Sequence, residues 1–146
     1  MNVDIYCDGA SKGNPGHGGW GAVLLCKGHK KEIYGYGGKE VTNNQMEILA
    51  ALKGLEALKT NCDVTLYSDS NYVVQGINSW LDNWKKKNWI GANKKPIANK
   101  DLWLELDKQL SIHSVKAIHV AAHTGIEYNE LCDQLANRAI QEELCK

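Results

Sequence analysis

The sequence predicts an α/β fold with a mixed five-stranded sheet, and three observations carry that expectation. Strand-length runs of β-branched, aliphatic and aromatic residues recur along the chain, among them Val3-Asp4-Ile5-Tyr6-Cys7 and Val64-Thr65-Leu66-Tyr67-Ser68. The first three such runs follow one another across short glycine-rich links, which suits an antiparallel meander. The later runs alternate with helical patterns, and a strand that follows a helix must return to the sheet by a crossover and pair in parallel.

Taken in order, strands are expected at about residues 2 to 8, 20 to 26 and 31 to 37, with Gly13-Asn14-Pro15-Gly16 and Gly37-Gly38 as punctuation. Thr42-Asn43-Asn44 offers N-cap chemistry to a helix from about Gln45 to Leu58, whose apolar positions are Met46, Leu49, Ala50, Leu52 and Leu55. Asn61 closes that segment. A strand at 64 to 68, a helix at 70 to 80, a lysine-rich excursion, a helix at 100 to 111, a strand at 115 to 120 and a helix at 127 to 143 complete the order.

A chain of 146 residues suits one domain with a real core, and 43% hydrophobic with 23% charged residues is the balance of an ordinary globule. No stretch approaches the roughly 18 to 20 apolar residues of a membrane span, and the opening MNVDIYCDG is neither a cationic signal nor a basic transit segment. A cytoplasmic monomer is therefore expected. Cys7, Cys26, Cys62, Cys132 and Cys145 form an odd set without Cys-x-x-Cys spacing, which argues for reduced, mostly buried thiols and against a disulfide framework or a zinc site. His119 and His123 would share a helix face, but the strand expected at 115 to 120 spoils that pairing.

Asp8, Glu47, Asp69 and Asp133 are the chemically telling residues. Asp8 and Asp69 close two strand-like runs, Glu47 begins a stripe continued by Ala50, Ala51, Gly54 and Leu58, and Asp133 neighbours the stripe Ala136, Ala139 and Ile140. Singly, each acid suits a turn or a solvated helix face. Together they point to a shared divalent-metal site, because a buried ionised carboxylate costs several kcal/mol that a coordinated cation offsets. Convergence requires the two strands to be neighbours and the helices to pack over their ends.

The formal net charge is zero, yet no acid occurs from Asn83 to Lys100, where Lys85, Lys86, Lys87, Lys94, Lys95 and Lys100 accompany Trp84 and Trp89. Lysines interleaved with exposed aromatics can neutralise phosphates and contact sugars and bases, as a nucleic-acid track does. Alternatively Trp80 and Trp84 form the core face of a short helix.

These segments together resemble the type 1, bacterial-type ribonuclease H family over nearly the whole chain. Asp8-Gly9-Ala10, Gly13-Asn14-Pro15-Gly16 and Gly18-Gly19-Trp20-Gly21-Ala22 resemble its opening strand, loop and second strand. Thr42-Asn43-Asn44-Gln45-Met46-Glu47 and Tyr67-Ser68-Asp69-Ser70 resemble the segments bearing its second and third acids. Asn83-Trp84-Lys85-Lys86-Lys87 resembles its basic protrusion, and Lys94-Lys95-Pro96 with Asp101-Leu102-Trp103 resembles the stretch just C-terminal to that protrusion. His123 and Asn129-Glu130-Leu131-Cys132-Asp133 resemble its histidine loop and fourth acid.

The resemblance implies a ribonuclease H-like fold over residues 1–146, a five-stranded mixed sheet with helices on both faces and a basic protrusion at about 80 to 100. It implies an endonuclease that hydrolyses the RNA strand of RNA:DNA hybrids, leaving 5′-phosphate and 3′-hydroxyl ends. Asp8, Glu47, Asp69 and Asp133 would hold two Mg²⁺ ions, for which Mn²⁺ can substitute, and His123 would assist proton movement at the leaving side or product release. Asn14, Asn43, Asn44, Asn71 and Asn129 become candidates for sensing the RNA 2′-hydroxyl, with Thr42 and Asn14 alternatively holding a DNA-strand phosphate. Trp80 and Trp84 would line the DNA channel, and Lys85, Lys86, Lys87 and Lys95 would bind the hybrid backbone. Departures fall at Ala121-Ala122 and Ile126 around the histidine, at Gln45 where a basic residue is frequent, and at Asn88 where glycine is frequent and a left-handed backbone is expected.

Overall fold

The computed structural model describes residues 1–121 and 127–146. Its sheet has five strands in the order β3-β2-β1-β4-β5: β1 Asn2–Gly13, β2 Gly16–Cys26, β3 His29–Val41, β4 Asp63–Ser68 and β5 Ser114–His119. β1 pairs antiparallel with β2 and parallel with β4, β2 pairs antiparallel with β3, and β4 pairs parallel with β5. The mixed sheet expected from the element order is present, and β1 is its pivot.

The meander strands run further than their apolar runs predict. β1 and β2 stay paired out to Gly13↔Gly16, and β3 begins at His29 and continues to Val41. Glycine is a poor strand former in isolation, but here it lets helices approach the sheet closely. Gly21 is the clearest case: a Cβ there would sit 2.6 Å from Cys132 O. The helix carrying Cys132 and Asp133 can therefore lie directly on β2.

Among the described residues, five α-helical segments complete the fold: α1 Asn43–Glu56, α2 Asn71–Gln75, α3 Leu81–Lys86, α4 Lys100–Ile112 and α5 Glu127–Leu144. Of the expected N-cap candidates Thr42 takes the role. Its hydroxyl accepts from Gln45 N–H at 3.2 Å while Gln45 Oε1 accepts from Thr42 N–H at 3.0 Å, a reciprocal capping box. The helix ends at Glu56 rather than near Leu58. The helix expected at 70 to 80 is interrupted: α2 passes into a π-helical turn, Gly76–Trp80, and then into α3. That turn presents the Asn78 carboxamide to the outer edge of β5, where it donates to Ala117 O at 2.9 Å and accepts from Ala117 N–H at 3.3 Å. An exposed strand edge is thereby paired.

Val3, Ile5, Cys7, Ala22 and Leu24 project from one sheet face into a core shared with Ile48, Ala51, Leu55, Trp103 and Leu106 of α1 and α4. On the other face Val23 packs with Cys132 and Leu135 of α5, joined by Tyr6, Tyr34 and Tyr128. Cys7, Cys62 and Cys132 are buried, Cys26 is half-buried and Cys145 is exposed, all as free thiols. Asn88 adopts φ 54°, the left-handed backbone expected there, and Trp89 follows at φ 63°.

Candidate active site

β4 ends at Ser68 opposite Cys7 while β1 continues along β2, so Asp8 and Asp69, the next residue in each case, emerge together where the parallel pairing stops. Glu47 reaches them because α1 begins against β1. Gly9 makes this approach possible: a Cβ at that position would lie 2.3 Å from Met46 C and 2.5 Å from Glu47 N. The Gly9 N–H donates to Glu47 Oε1 at 2.6 Å and to Asp8 Oδ1 at 2.9 Å, tying two carboxylates to one backbone group.

Ligand oxygens of Asp8, Glu47 and Asp69 all lie within 4.8 Å of one another, the one such group among the described residues. Asp8 is only 5% exposed, and Glu47 and Asp69 are half-buried. No lysine or arginine forms an ion pair with them among the described residues. Electrostatics follow from that crowding. Burial, reinforced by the charges of Asp69 and Asp133, pushes Asp8 up to about 8 even though a hydrogen bond from Glu47 opposes the rise. Burial and the charges of Asp8 and Asp69 likewise hold Glu47 well above the carboxylate range. Converging oxygen donors without an internal countercharge fit a hard divalent cation, which would supply the missing positive charge.

Asp133 sits on α5 outside this tight group, though near enough that its charge raises Asp8. Asn137 Nδ2 donates to Asp133 O at 2.8 Å and to its Oδ1 at 3.3 Å, which orients the carboxylate. His123 lies outside the described residues, as do Ala122 and Ile126. Asn129 is 4% exposed, and its Oδ1 has no hydrogen-bond partner among the described residues. Asn71 is exposed in the first turn of α2, and Asn44 is exposed in the first turn of α1. Asn14 and Asn43 are linked, since Asn43 N–H donates to Asn14 Oδ1 at 3.0 Å.

At the protrusion the two tryptophans differ in burial. Trp84 is half-buried against the core, edge-on to Trp103 at 5.2 Å, whereas Trp80 is 36% exposed, with its ring 5.9 Å from that of Trp84. Lys86, Lys87 and Lys95 are exposed. Lys85 is exposed too, but its Nζ lies 3.4 Å from Asp107 Oδ1, so α4 occupies part of its charge.

Several neighbours of the site escape sequence reasoning. Gln45 Nε2 donates to Asn99 Oδ1 at 3.3 Å, Asn99 Nδ2 donates to Tyr72 O–H at 3.3 Å, and Trp103 Nε1 donates to the same hydroxyl at 3.0 Å. This chain of bonds joins the start of α1 to α2 and α4. His119 Nε2 lies 3.2 Å from Asp69 O. Ser11 donates twice to Asn43. The only sequence signal for Ser11 was a small polar residue within a glycine-flanked strand end.

Acids converging where the antiparallel and parallel halves of a mixed sheet meet, in a chain that also carries a lysine-rich aromatic protrusion, define the class first: a hydrolytic nuclease of α/β architecture. Residues 1–141 match the RNase H family. The chain is 55% identical to a ribonuclease H of Pseudomonas fluorescens, covering 97% of this chain and 93% of the relative. It is 53% identical to ribonuclease HI of Pseudomonas syringae pv. tomato, covering 97% of this chain and 93% of that one. The crystal structure of LC9-RNase H1, a type 1 RNase H, superposes with a TM-score of 0.85 at 25% identity, covering 97% of this chain and 72% of that one. The chain belongs to the ribonuclease H family, and so to the endoribonucleases.

Proposed function

We propose that this chain hydrolyses the RNA strand of RNA:DNA hybrids by a two-metal-ion mechanism, leaving 5′-phosphate and 3′-hydroxyl ends. The observation that carries the reading is the convergence of Asp8, Glu47 and Asp69 oxygens within 4.8 Å, in a chain that matches the RNase H family over residues 1–141. These three acids, with Asp133 beside them, are the proposed ligands. Held by these carboxylates, magnesium, or manganese in its place, would supply Lewis acidity and activate water for hydrolysis.

The chain's own residues do the rest. Gly9 N–H holds Asp8 and Glu47 in place, so little reorganisation is needed when phosphate arrives. Asn14, Asn43, Asn44, Asn71 and Asn129 are assigned to the minor groove, where RNA shows its 2′-hydroxyl. Thr42 spends its hydroxyl oxygen and its N–H on the capping box, which leaves the hydroxyl proton for a phosphate oxygen. Lys86, Lys87 and Lys95, with a partly neutralised Lys85, attract the backbone, and Trp80 and Trp84 face the DNA strand. His123 is assigned to proton movement at the leaving oxygen or to product release. The reading takes residues 1–146 as one domain with its basic protrusion at about 80 to 100, working as a cytoplasmic monomer. Among the described residues no helix is long and apolar enough to cross a membrane.

The test is incubation of the purified protein with labelled RNA:DNA, RNA:RNA and DNA:DNA duplexes, with and without Mg²⁺. Cleavage confined to the RNA of the hybrid and dependent on the ion is expected. Equal cleavage of all three duplexes, or none of the hybrid, would refute the reading.

A further inference from the structure

Ser11 lies on β1 beyond Cys7, the last residue that pairs with β4, and its N–H goes to a side chain instead of a strand. That N–H donates to Asn43 Oδ1 at 3.1 Å, and the Ser11 hydroxyl donates to the same oxygen at 2.8 Å. Asn43 N–H in turn donates to Asn14 Oδ1 at 3.0 Å.

These bonds settle which end of each carboxamide faces inward. A backbone N–H can donate but never accept, so the atom opposite it must be the amide oxygen in both cases. The usual ambiguity between amide oxygen and nitrogen is thereby removed. Both asparagines are exposed, and neither Nδ2 group has a hydrogen-bond partner among the described residues. Ser11 supplies two of the three donors in this relay, one from its backbone and one from its hydroxyl.

We infer that Ser11 is a positioning residue that sets substrate specificity, by occupying Asn43 Oδ1 so that the Asn43 amino group alone is offered to nucleic acid. With Asn14 turned the same way, these two amides offer their N–H donors outward while their oxygens are engaged inside the relay. Minor-groove acceptors suit such a surface: the purine N3 and pyrimidine O2 atoms of either strand, and the 2′-hydroxyl oxygen that only RNA carries. Hydrogen bonds to the bases would serve any duplex, whereas those to the 2′-hydroxyl favour the hybrid. Without the Ser11 hydroxyl the Asn43 amide is held by a single donor and is less well preorganised, so the selective contact weakens first.

The inference rests on the hybrid-cleaving reading above, and equilibrium binding in EDTA separates the two. Affinities for an RNA:DNA hybrid and for a DNA:DNA duplex of the same sequence are measured for the wild type, Ser11→Ala, Ser11→Thr and Asn43→Asp. Ser11→Ala should weaken hybrid binding about 2- to 5-fold, the worth of one neutral hydrogen bond, while leaving the DNA duplex affinity unchanged. Ser11→Thr, which restores a hydroxyl, should recover the preference. Asn43→Asp keeps an acceptor for Ser11 but turns an oxygen outward, and should lose more than Ser11→Ala does. The Asn43 side-chain amide signal in a ¹H–¹⁵N spectrum should move in Ser11→Ala and stay in place in Ser11→Thr, a readout that does not require nucleic acid. A wild type without hybrid preference overturns the functional reading and this inference with it. A wild-type preference that Ser11→Ala keeps in full, or an equal loss on both duplexes, overturns the role of Ser11 alone.

Discussion

Replacing Asp8 by Asn should abolish Mg²⁺-dependent cleavage and, with no metal present, make the protein more stable. The substitution keeps the side-chain shape and an oxygen to accept from Gly9 N–H, while removing one charge from a buried cluster. Burial first, then Asp69 and Asp133, push Asp8 from an ordinary 3.8 up to about 8. Because the folded value lies above the unfolded one, folding favours the protonated acid. The site's contribution is intact below about pH 4 and is lost as pH rises toward about 8. At about 1.4 kcal/mol per pH unit, the ceiling on that loss is about 5 to 6 kcal/mol. Glu47, itself raised by burial and by the Asp8 charge, opposes part of the rise at Asp8, and water can enter the half-buried side of the site, so about 1 to 3 kcal/mol is the expected gain for Asp8→Asn at pH 8. For a chain of this size that corresponds to a rise of about 3 to 10 °C in Tm. Thermal melts in EDTA from pH 4 to 9 test it: the gap between variant and wild type should open with pH and close near pH 4. Added Mg²⁺ should raise the Tm of the wild type far more than that of the variant. A variant less stable than wild type at pH 8, or a gap independent of pH, would refute the electrostatic account. Near-normal cleavage by the variant would refute the metal assignment.

The lysine run should divide by its contacts. Changing Lys86 and Lys87 to Ala should lower the slope of log affinity against log salt by about 1.8 if each neutralises one phosphate, since each contributes about 0.9. Lys85→Ala should lower it less, because Asp107 already holds that side chain at 3.4 Å; an equal effect of all three in salt titrations would contradict the distinction. His123→Ala should reduce turnover by a factor on the order of 10 to 100 without changing hybrid affinity, the usual scale of acid–base assistance. Single-turnover rates at wild-type level would make that histidine a surface residue. Ca²⁺ should occupy the site yet support little cleavage, because its looser coordination shell does not set the geometry that Mg²⁺ imposes. Equal rates with the two ions would count against it.

The element order and the parallel or antiparallel sense of the sheet could be read locally, because hydrophobic period and connection length are properties of neighbouring residues. Val3 to Cys7 and Val64 to Ser68 announce strands by composition, and the alternation after α1 forces the parallel half. Strand ends were not readable in this way. Gly13, Gly16 and Gly19 look like breakers in sequence and are ladder residues in the fold: the tight hairpin leaves no room for a side chain at Gly16, where a Cβ would meet Lys12 O, and α5 presses on Gly19, where a Cβ would meet Ala136 O. The π-helical turn at Gly76–Trp80 was likewise invisible, since Asn78 is drawn to a strand edge distant in sequence.

At the site, residue type and spacing alone singled out Asp8, Glu47, Asp69 and Asp133, because an acid at the head of an apolar stripe is a local anomaly. Only the tertiary structure decided that three of them crowd within 4.8 Å while Asp133 stands apart, and that Gly9 binds two of them at once. It also decided which way Asn14 and Asn43 turn and which lysine is already engaged. Composition and periodicity record what each segment prefers alone. Distances between segments, the raised pKa of crowded buried acids and the orientation of an amide depend on what packing brings together, which no local run of residues contains.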